Sequence, residues 1–167
     1  MLRFTLRHDL EMSPERFWSL YLDDAFNAKL YAHLEFPEWK VVEVKEDDRE
    51  ILRVVRAIPK LEAPAAVAKL LGPSFGYTEN GRFDKATKTY SFTMKPSTLE
   101  GKLRNEGVVR AEPRGEGTCT RVVEITAEAK IFGLGGTIEA AIEKSHRSVW
   151  DKSAPFFTQW AKDHPAP

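Results

Sequence analysis

The sequence has one cysteine, no net charge and no long apolar segment, and each of these absences excludes a class of protein. Cys119 cannot form an internal disulfide, which fits a reducing compartment, and nothing near it supplies the base that a nucleophilic thiol needs. Lys and Arg number 25, as do Asp and Glu, so the charge balance gives no reason to expect nucleic acid as a partner. No apolar run approaches the roughly 20 residues that cross a bilayer. We therefore expect a soluble, cytoplasmic protein without a signal peptide.

Motifs for metals and cofactors are also missing. The four histidines have no metal-site spacing to each other or to carboxylates: His8, His33, His146 and His164. Neither His-Glu-x-x-His nor Cys-x-x-Cys occurs in the chain. A glycine turn at 133–136 follows a strand pattern, but it lacks the third glycine of a dinucleotide loop and the lysine of a phosphate loop. The sequence therefore predicts no metal, no cofactor and no catalytic residue.

Length and periodicity predict one α+β domain over residues 1–167. Residues 2–11 alternate apolar and polar side chains, as a half-buried strand does. Two short helices should follow, one begun by Ser13 and Pro14 and one by Asp23, and a third is expected between Pro64 and Gly72. Further strand patterns form hairpins over 39–45, 49–58, 75–83, 87–95, 103–111 and 118–131, with a turn at 112–117.

The stretch from residue 133 to residue 160 predicts a long helix around which the other elements are organised. Its apolar face repeats at spacings of three and four, through Ile138, Ile142, Ser145, Val149, Ser153, Phe156 and Trp160. A helix of this length spans a small domain, so a sheet must cover its apolar face. Pro155 lies inside the pattern and predicts a kink, or a restart capped by Ser153.

Small residues on inward-facing positions of the last two strands predict a cavity. Gly107, Ala111, Ala127 and Ala129 leave space between sheet and helix, where larger groups would fill a packed core. The alternative is that the long helix approaches the sheet closely at these positions.

The element order and three stretches of sequence, 13–18, 59–72 and 133–139, resemble a bacterial family known as DUF2505. This family lies in the START-like, or Bet v 1-like (SRPBCC), superfamily, and the likeness covers essentially the whole chain. The resemblance implies a helix-grip fold. In this fold a curved antiparallel sheet of about seven strands, with two short helices after the first strand, wraps a long C-terminal helix over an apolar cavity.

The resemblance also implies a function, which we expect to be non-enzymatic. Most known members of the superfamily bind or transfer hydrophobic molecules, so the expected ligand is a fatty acid, lipid or sterol-like compound that the protein transports or senses. The resemblance allows transient membrane contact. The oligomeric state stays open, and a monomer is favoured. The alternative is an enzyme of the polyketide aromatase/cyclase kind, in which His8 or a tyrosine such as Tyr90 moves protons in the same cavity.

The candidate ligand-binding residues are those that face inward by strand parity or helix face. They are His8, Tyr90, Phe92, Met94, Asn105, Val109, Arg121, Val123, Ile125, Ala127, Ala129, Ile138, Ile142, Ser145, Val149 and Phe156. Asn105 and Arg121 would hold the polar end of a ligand, or else lie in water at the rim of the sheet. Ser145 would bond a ligand or its own helix. His8 would contact a ligand, or be a core histidine bonded to a backbone carbonyl.

The segment 59–72 is a candidate lid. Ala65, Val67, Leu70 and Leu71 give it an apolar, small-residue composition bounded by prolines and glycine. A buried cavity needs a movable element for ligand entry. The alternative is a helix that permanently closes one end of the sheet.

Overall fold

The computed structural model describes residues 1–166, which contain seven strands, three short helices and one long helix. In chain order they are β1 (Leu2–Leu10), α1 (Pro14–Tyr21), α2 (Asp24–His33), β2 (Glu38–Glu46), β3 (Glu50–Ile58), α3 (Ala65–Leu71), β4 (Tyr77–Asp84), β5 (Thr89–Pro96), β6 (Leu103–Gly115), β7 (Thr118–Ala129) and α4 (Gly135–Asp163). The predicted α+β helix-grip architecture is confirmed. No helix in this part of the chain is long and apolar enough to span a membrane.

The strands form one antiparallel sheet in the order β1-β7-β6-β5-β4-β3-β2. Strands β2 to β7 follow one another as a meander, and β1 joins the sheet beside β7, with Leu6 opposite Val123. Because side chains alternate across a strand, the paired residues of neighbouring strands share a face. The inward parity predicted for the last strand is confirmed, since Val123 and Ile125 are buried while Glu124 is exposed.

The short helices begin where their sequences indicate. The Ser13 hydroxyl accepts a hydrogen bond from the backbone N–H of Arg16 (3.1 Å), and Pro14 is the first helical residue of α1. The Asp23 carboxylate accepts one from the N–H of Phe26 (2.7 Å) at the start of α2. These side chains satisfy backbone donors that a helix start leaves unpaired.

Several strand boundaries differ from the prediction by a few residues, among them the ends of the last two strands. Strand β6 continues to Gly115, because Glu112 pairs with Thr120 and Pro113 with Cys119 before the register shifts. Only residues 116–117 remain as the turn between β6 and β7. Strand β7 ends at Ala129, because the carbonyl of Ile131 accepts a hydrogen bond from the N–H of Gly135 (2.8 Å) at the start of α4.

The long helix runs from Gly135 to Asp163 without a break, so the restart predicted at Ser153 is wrong. The Ser153 hydroxyl donates to the carbonyl of Trp150 one turn earlier (2.8 Å) and accepts from Arg121 (3.0 Å). Ser153 therefore bonds within the helix and to the sheet, and the helix continues through Pro155.

The main core lies beneath the C-terminal half of α4. There the rings of Phe17, Phe26 and Phe157 pack together, with centroids 5.3 Å apart for Phe17 and Phe157 and 4.6 Å for Phe26 and Phe157. A second, smaller cluster joins α3 to the start of α4 through Val67 and Ile138. Aromatic rings bury large areas, so the first cluster contributes most of the apolar burial.

The small residues of β6 and β7 mark close packing rather than empty space. A Cβ atom on Gly107 would lie 2.6 Å from Cζ of Phe92 and 2.7 Å from the carbonyl oxygen of Glu124. Ala111 packs against the main core, and Ala127 is fully buried. The reasoning that placed the cavity at Gly107, Ala111, Ala127 and Ala129 is therefore wrong. The close neighbours of Gly107 belong to β5 and β7, so its contacts do not show the close approach of the long helix that was the alternative.

Gly107→Ala should lower the free energy of unfolding by about 1 to 3 kcal/mol, the usual effect of overpacking, because the new methyl meets a ring and a backbone carbonyl. Gly136→Ala is the control, because a Cβ there has no atom within 4 Å and alanine favours a helix. Urea unfolding measures both variants. Equal stability of the two would contradict the close approach at Gly107.

Candidate functional site

A cavity of about 120 Å³ lies between the sheet and the N-terminal half of α4. Its other walls come from strands β2 to β6, helix α3, the connection 59–63, and residues of α1 and α2 such as Tyr21 and Tyr31. Most of the lining side chains are apolar or aromatic. The polar ones are Asn27, Arg53, Glu62, Glu79, Asn105, Ser145 and His146. An enclosed apolar space with a few polar groups is the usual form of a small-molecule site.

Several of the predicted ligand-binding residues line this cavity. They are Met94, Asn105, Ile138, Ile142, Ser145 and Val149, together with Val67 and Leu71 of the candidate lid. The face of α4 and the inner ends of β5 and β6 therefore meet at one place. From the lid, Ala65 and Leu70 do not line the cavity, and both are exposed.

The other predicted residues lie away from the cavity. Ala129 belongs to the smaller cluster with Val67 and Ile138. Ala127 is fully buried, and the residues that belong to the main core are Tyr90, Phe92, Val109, Val123 and Ile125. The reason is that α1, α2 and the C-terminal half of α4 cover this part of the sheet and fill it with aromatic rings. Phe156 packs against Phe26, His33 and Trp160 instead of pointing into the cavity.

His8 and Arg121 form a separate cluster that joins β1, β7 and α4. His8 Nδ1 accepts from Arg121 Nη2 (3.1 Å), and His8 Nε2 donates to Asp151 Oδ1 (2.7 Å). The partners of His8 are therefore side chains, not the backbone carbonyl that was expected. Arg121 is fully buried, so it does not lie in water at the rim. Burial lowers the pKa of His8; the bond to Asp151 opposes this and the charge of Arg121 adds to it.

Cys119 is fully buried in the main core. Burial raises the pKa of its thiol to about 11, so the reactive thiolate is disfavoured at neutral pH. Its role is packing.

One wall of the cavity carries a directed chain of hydrogen bonds. Trp150 Nε1 donates to His146 Nδ1 (3.3 Å), and His146 Nε2 lies 2.9 Å from Asn105 Oδ1. Because Nδ1 accepts, the proton of the neutral imidazole sits on Nε2 and is donated to Asn105. The Asn105 amide in turn donates to the sulfur of Met94 (3.3 Å). Burial lowers the pKa of His146 to about 4, so the imidazole is neutral at pH 7.

A second polar group lies on β3, β4 and β5. The Tyr90 hydroxyl donates to Glu79 Oε1 (2.7 Å) and accepts from Arg53 Nε (3.3 Å), while Arg53 Nη1 donates to the carbonyl of Tyr21 (3.0 Å). Arg53 Nη2 and Glu79 Oε1 are 3.9 Å apart. Burial alone would lower the pKa of Arg53, but Tyr90 and Glu79 raise it overall, so the guanidinium stays charged.

Gly81 makes room for this polar group. A Cβ atom on Gly81 would lie 1.7 Å from the hydroxyl oxygen of Tyr90. Because β4 carries no side chain at that position, the Tyr90 phenol crosses the strand and reaches Glu79. The absence of one side chain thus positions the buried carboxylate's hydrogen-bond donor.

Sequence reasoning missed Arg53, Glu79, His146 and Trp150, although the first three had a readable signal. Arg53 shares the inward parity of Val55, and Glu79 that of Phe83. His146 follows Ile142 by four residues, so it lies on the same helix face as Ser145. Charged or polar residues on an apolar face were the signal for a lined cavity at this end of the sheet.

The connection before α3 closes the mouth of the cavity. Pro59, Leu61, Glu62 and Ala63 are among the lining residues. An ion pair between Lys60 and Glu35 ties this connection to the loop after α2, and both side chains are largely exposed. Exposed ion pairs contribute little to stability, so this contact fixes the connection only weakly.

The polar groups of the site are hydrogen-bonded mainly to one another. Both ring nitrogens of His146 are engaged, and the Tyr90 hydroxyl is bonded on both sides. A general acid or base must instead reach a substrate atom directly. Among residues 1–166, no cluster of three or more potential metal ligands occurs.

Comparisons with known proteins show which family the sequence matches. A family model described as a protein of unknown function (DUF2505) matches residues 5–161. No curated protein matches the sequence.

Solved structures share the fold at low identity. The Zhui aromatase/cyclase from Streptomyces sp. R1128 is 13% identical, with a TM-score of 0.69 over 98% of this chain and 96% of its own. A START superfamily protein from Mycobacterium smegmatis is 12% identical, with a TM-score of 0.61 over 95% and 98%. Norcoclaurine synthase from Thalictrum flavum, in complex with dopamine and hydroxybenzaldehyde, is 12% identical, with a TM-score of 0.65 over 99% and 90%. These likenesses show the helix-grip fold.

The low pKa of His146 predicts acid sensitivity. The unfolded chain takes up a proton at this histidine near pH 6.5, while the folded chain resists until about pH 4. The stability of the protein should therefore fall relative to His146→Phe as the pH drops from 7.5 to 4.5, by about 2 to 3 kcal/mol. Urea unfolding of both proteins at the two pH values measures the difference. Parallel pH profiles would show that His146 is not held neutral by burial.

Proposed function

The chain belongs to the DUF2505 family and has the START-like helix-grip fold, and from this premise we propose that its cavity binds a hydrophobic small molecule. The observation that carries the proposal is the enclosed space of about 120 Å³ between α4 and the sheet, lined mainly by apolar and aromatic side chains. Burial of apolar ligand surface, at about 25 cal/mol per Å², would supply most of the affinity. The few polar groups would set orientation.

The volume bounds the ligand in the closed state. Engineered apolar cavities of about 150 Å³ take up benzene, so about 120 Å³ corresponds to roughly one ring. A fatty acid, lipid or sterol-like ligand, the class that the resemblance predicts, requires the cavity to expand. Such ligands belong to the proposal only together with movement of the lid.

The lid in this proposal is the segment 59–72. Its connection covers the mouth, and Val67 and Leu71 of α3 face the cavity. Leu70 is partly exposed and does not line the cavity, so it would meet a membrane or a donor of hydrophobic ligand. Opening requires the exposed Lys60–Glu35 ion pair and the hydrogen bond from the Thr98 hydroxyl to the Leu71 carbonyl (3.2 Å) to break, and the small α3 cluster to separate. Weakly packed segments of this kind are the ones that move in ligand entry.

Carriage or sensing is favoured over chemistry of the aromatase/cyclase kind. His8, the residue proposed to move protons, does not line the cavity and is bonded to Asp151 and Arg121. The Tyr90 hydroxyl is occupied by Glu79 and Arg53. These contacts support binding because a catalytic group must converge with others on one substrate atom.

Ile142→Trp should abolish binding while leaving the fold intact. Ile142 lines the cavity, and the larger indole can occupy the space a ligand would take. Lys144→Trp, on the exposed side of the same helix, is the matched control. Toluene and, in a separate series, laurate are titrated into each protein, and the amide NMR shifts of α4 and α3 are followed.

The wild type and Lys144→Trp should show saturable shifts at these helices, and Ile142→Trp should show none. Shifts that persist in Ile142→Trp, or no shifts in the wild type with either toluene or laurate, would contradict the proposed function. Native mass spectrometry with solvent extraction of freshly purified protein identifies any ligand carried through purification.

A further inference from the structure

We propose that the natural ligand of the cavity is an uncharged aromatic molecule that carries a hydroxyl group, bound with this group at Arg53 and Glu79. The inference rests on the proposed function and adds the chemical class of the ligand. It also distinguishes this site from one for fatty acids, whose carboxylate is charged at neutral pH.

The first step concerns the hydrogen-bond donors and acceptors that the buried side chains of Arg53 and Glu79 leave unused. Arg53 is 6% exposed and Glu79 is 9% exposed, and both line the cavity. Arg53 uses Nε and Nη1 on Tyr90 and on the carbonyl of Tyr21, but Nη2 makes no hydrogen bond to residues 1–166. Its nearest carboxylate oxygen, Glu79 Oε1, is 3.9 Å away, beyond hydrogen-bond distance. Glu79 accepts a single bond, at Oε1 from Tyr90.

The second step is charge. Arg53 and Glu79 carry opposite charges, so the pair offers no net positive charge to a bound anion. The lining contains one more charged residue, Glu62 at the mouth, and this residue is acidic like Glu79. A carboxylate ligand would therefore be buried beside Glu79 without a free cation, and burying an unpaired charge is strongly unfavourable. The ligand should be uncharged.

The third step is the functional group. Arg53 Nη2 is a donor and Glu79 is an acceptor, so the best partner both accepts and donates at one point. A hydroxyl does this with a single atom. A ketone or ether would satisfy only Arg53, and it would leave the carboxylate without an added donor.

The fourth step is the shape of the neighbouring wall. The rings of Tyr31 and Trp39 stack at 4.5 Å with an interplanar angle of 5°, and both line the cavity. The Arg53 guanidinium lies 5.8 Å from the Trp39 ring centroid. Aromatic side chains next to the polar groups, in a space of about 120 Å³, fit one aromatic ring with its hydroxyl at the guanidinium.

Three probes of equal ring size test the inference in the full-length protein at pH 7. They are toluene, 4-methylphenol and 4-methylbenzoate, which place a hydrogen, a hydroxyl or a carboxylate at the same ring position. Phenols with a pKa near 10 are uncharged at this pH. Calorimetric or NMR titration should give 4-methylphenol the lowest Kd, about tenfold below that of toluene, as for one hydrogen bond to a charged group. The Kd of 4-methylbenzoate should be the highest.

Glu79→Gln tests the charge step, because it removes the negative charge that should exclude a carboxylate ligand. Glutamine keeps the shape and an acceptor for Tyr90, but it leaves Arg53 without a counter-charge. The variant should therefore bind 4-methylbenzoate more tightly than the wild type does. Glu43→Gln is the control, because it removes a negative charge from an exposed residue of β2 that does not line the cavity, and it should leave the order of the probes unchanged.

The outcomes separate the inference from the proposed function. Tightest binding of 4-methylbenzoate by the wild type, or equal binding of toluene and 4-methylphenol, would overturn the inference and keep the cavity as a binding site. Failure of all three probes to bind would also overturn the inference, and failure of laurate to bind as well would overturn the proposed function itself. If Glu79→Gln does not fold, the order of the three probes in the wild type still decides.

Discussion

The structure depends on one buried cation that fixes the long helix to the sheet. Arg121 of β7 is fully buried and donates to the Trp150 carbonyl (2.7 Å) and the Ser153 hydroxyl (3.0 Å) of α4. Its guanidinium also lies 4.8 Å from the Trp150 ring centroid. Burial lowers the pKa of Arg121 to about 10, so it keeps its charge at neutral pH. Neutral His8 connects it to the carboxylate of Asp151, which supplies the opposite charge at a distance.

This attachment divides the interior into two halves with different uses. Around Arg121 the C-terminal half of α4 meets α1 and α2, and aromatic rings such as Phe157 fill the space. The N-terminal half of α4 stands apart from β3 and β4, where Arg53 and Glu79 face the cavity. A side chain of α4 packed onto that wall would cover Arg53 Nη2 without giving it a partner, which is unfavourable. A packed half that holds the helix and an open half that contains the cavity follow from this arrangement.

The sequence predicted the fold well and the site only in part. Strand alternation, the caps at Ser13 and Asp23 and the spacing of α4 are local signals, so they identified the elements directly. Whether an inward-facing side chain lines the cavity depends on which part of the sheet each helix covers. No local sequence pattern indicates that. Phe92, for example, faces inward as predicted but lies under the packed half, while Arg53 was overlooked although its strand parity points inward.

The most direct test of this division is a crystal structure of the protein under xenon pressure, because xenon enters apolar cavities that are empty and leaves packed cores unoccupied. The account predicts xenon between the N-terminal half of α4 and the sheet, next to Ile142 and Met94. It predicts none between Val123 and Phe157. No bound xenon beside Ile142, or xenon beneath the C-terminal half of α4, would contradict it.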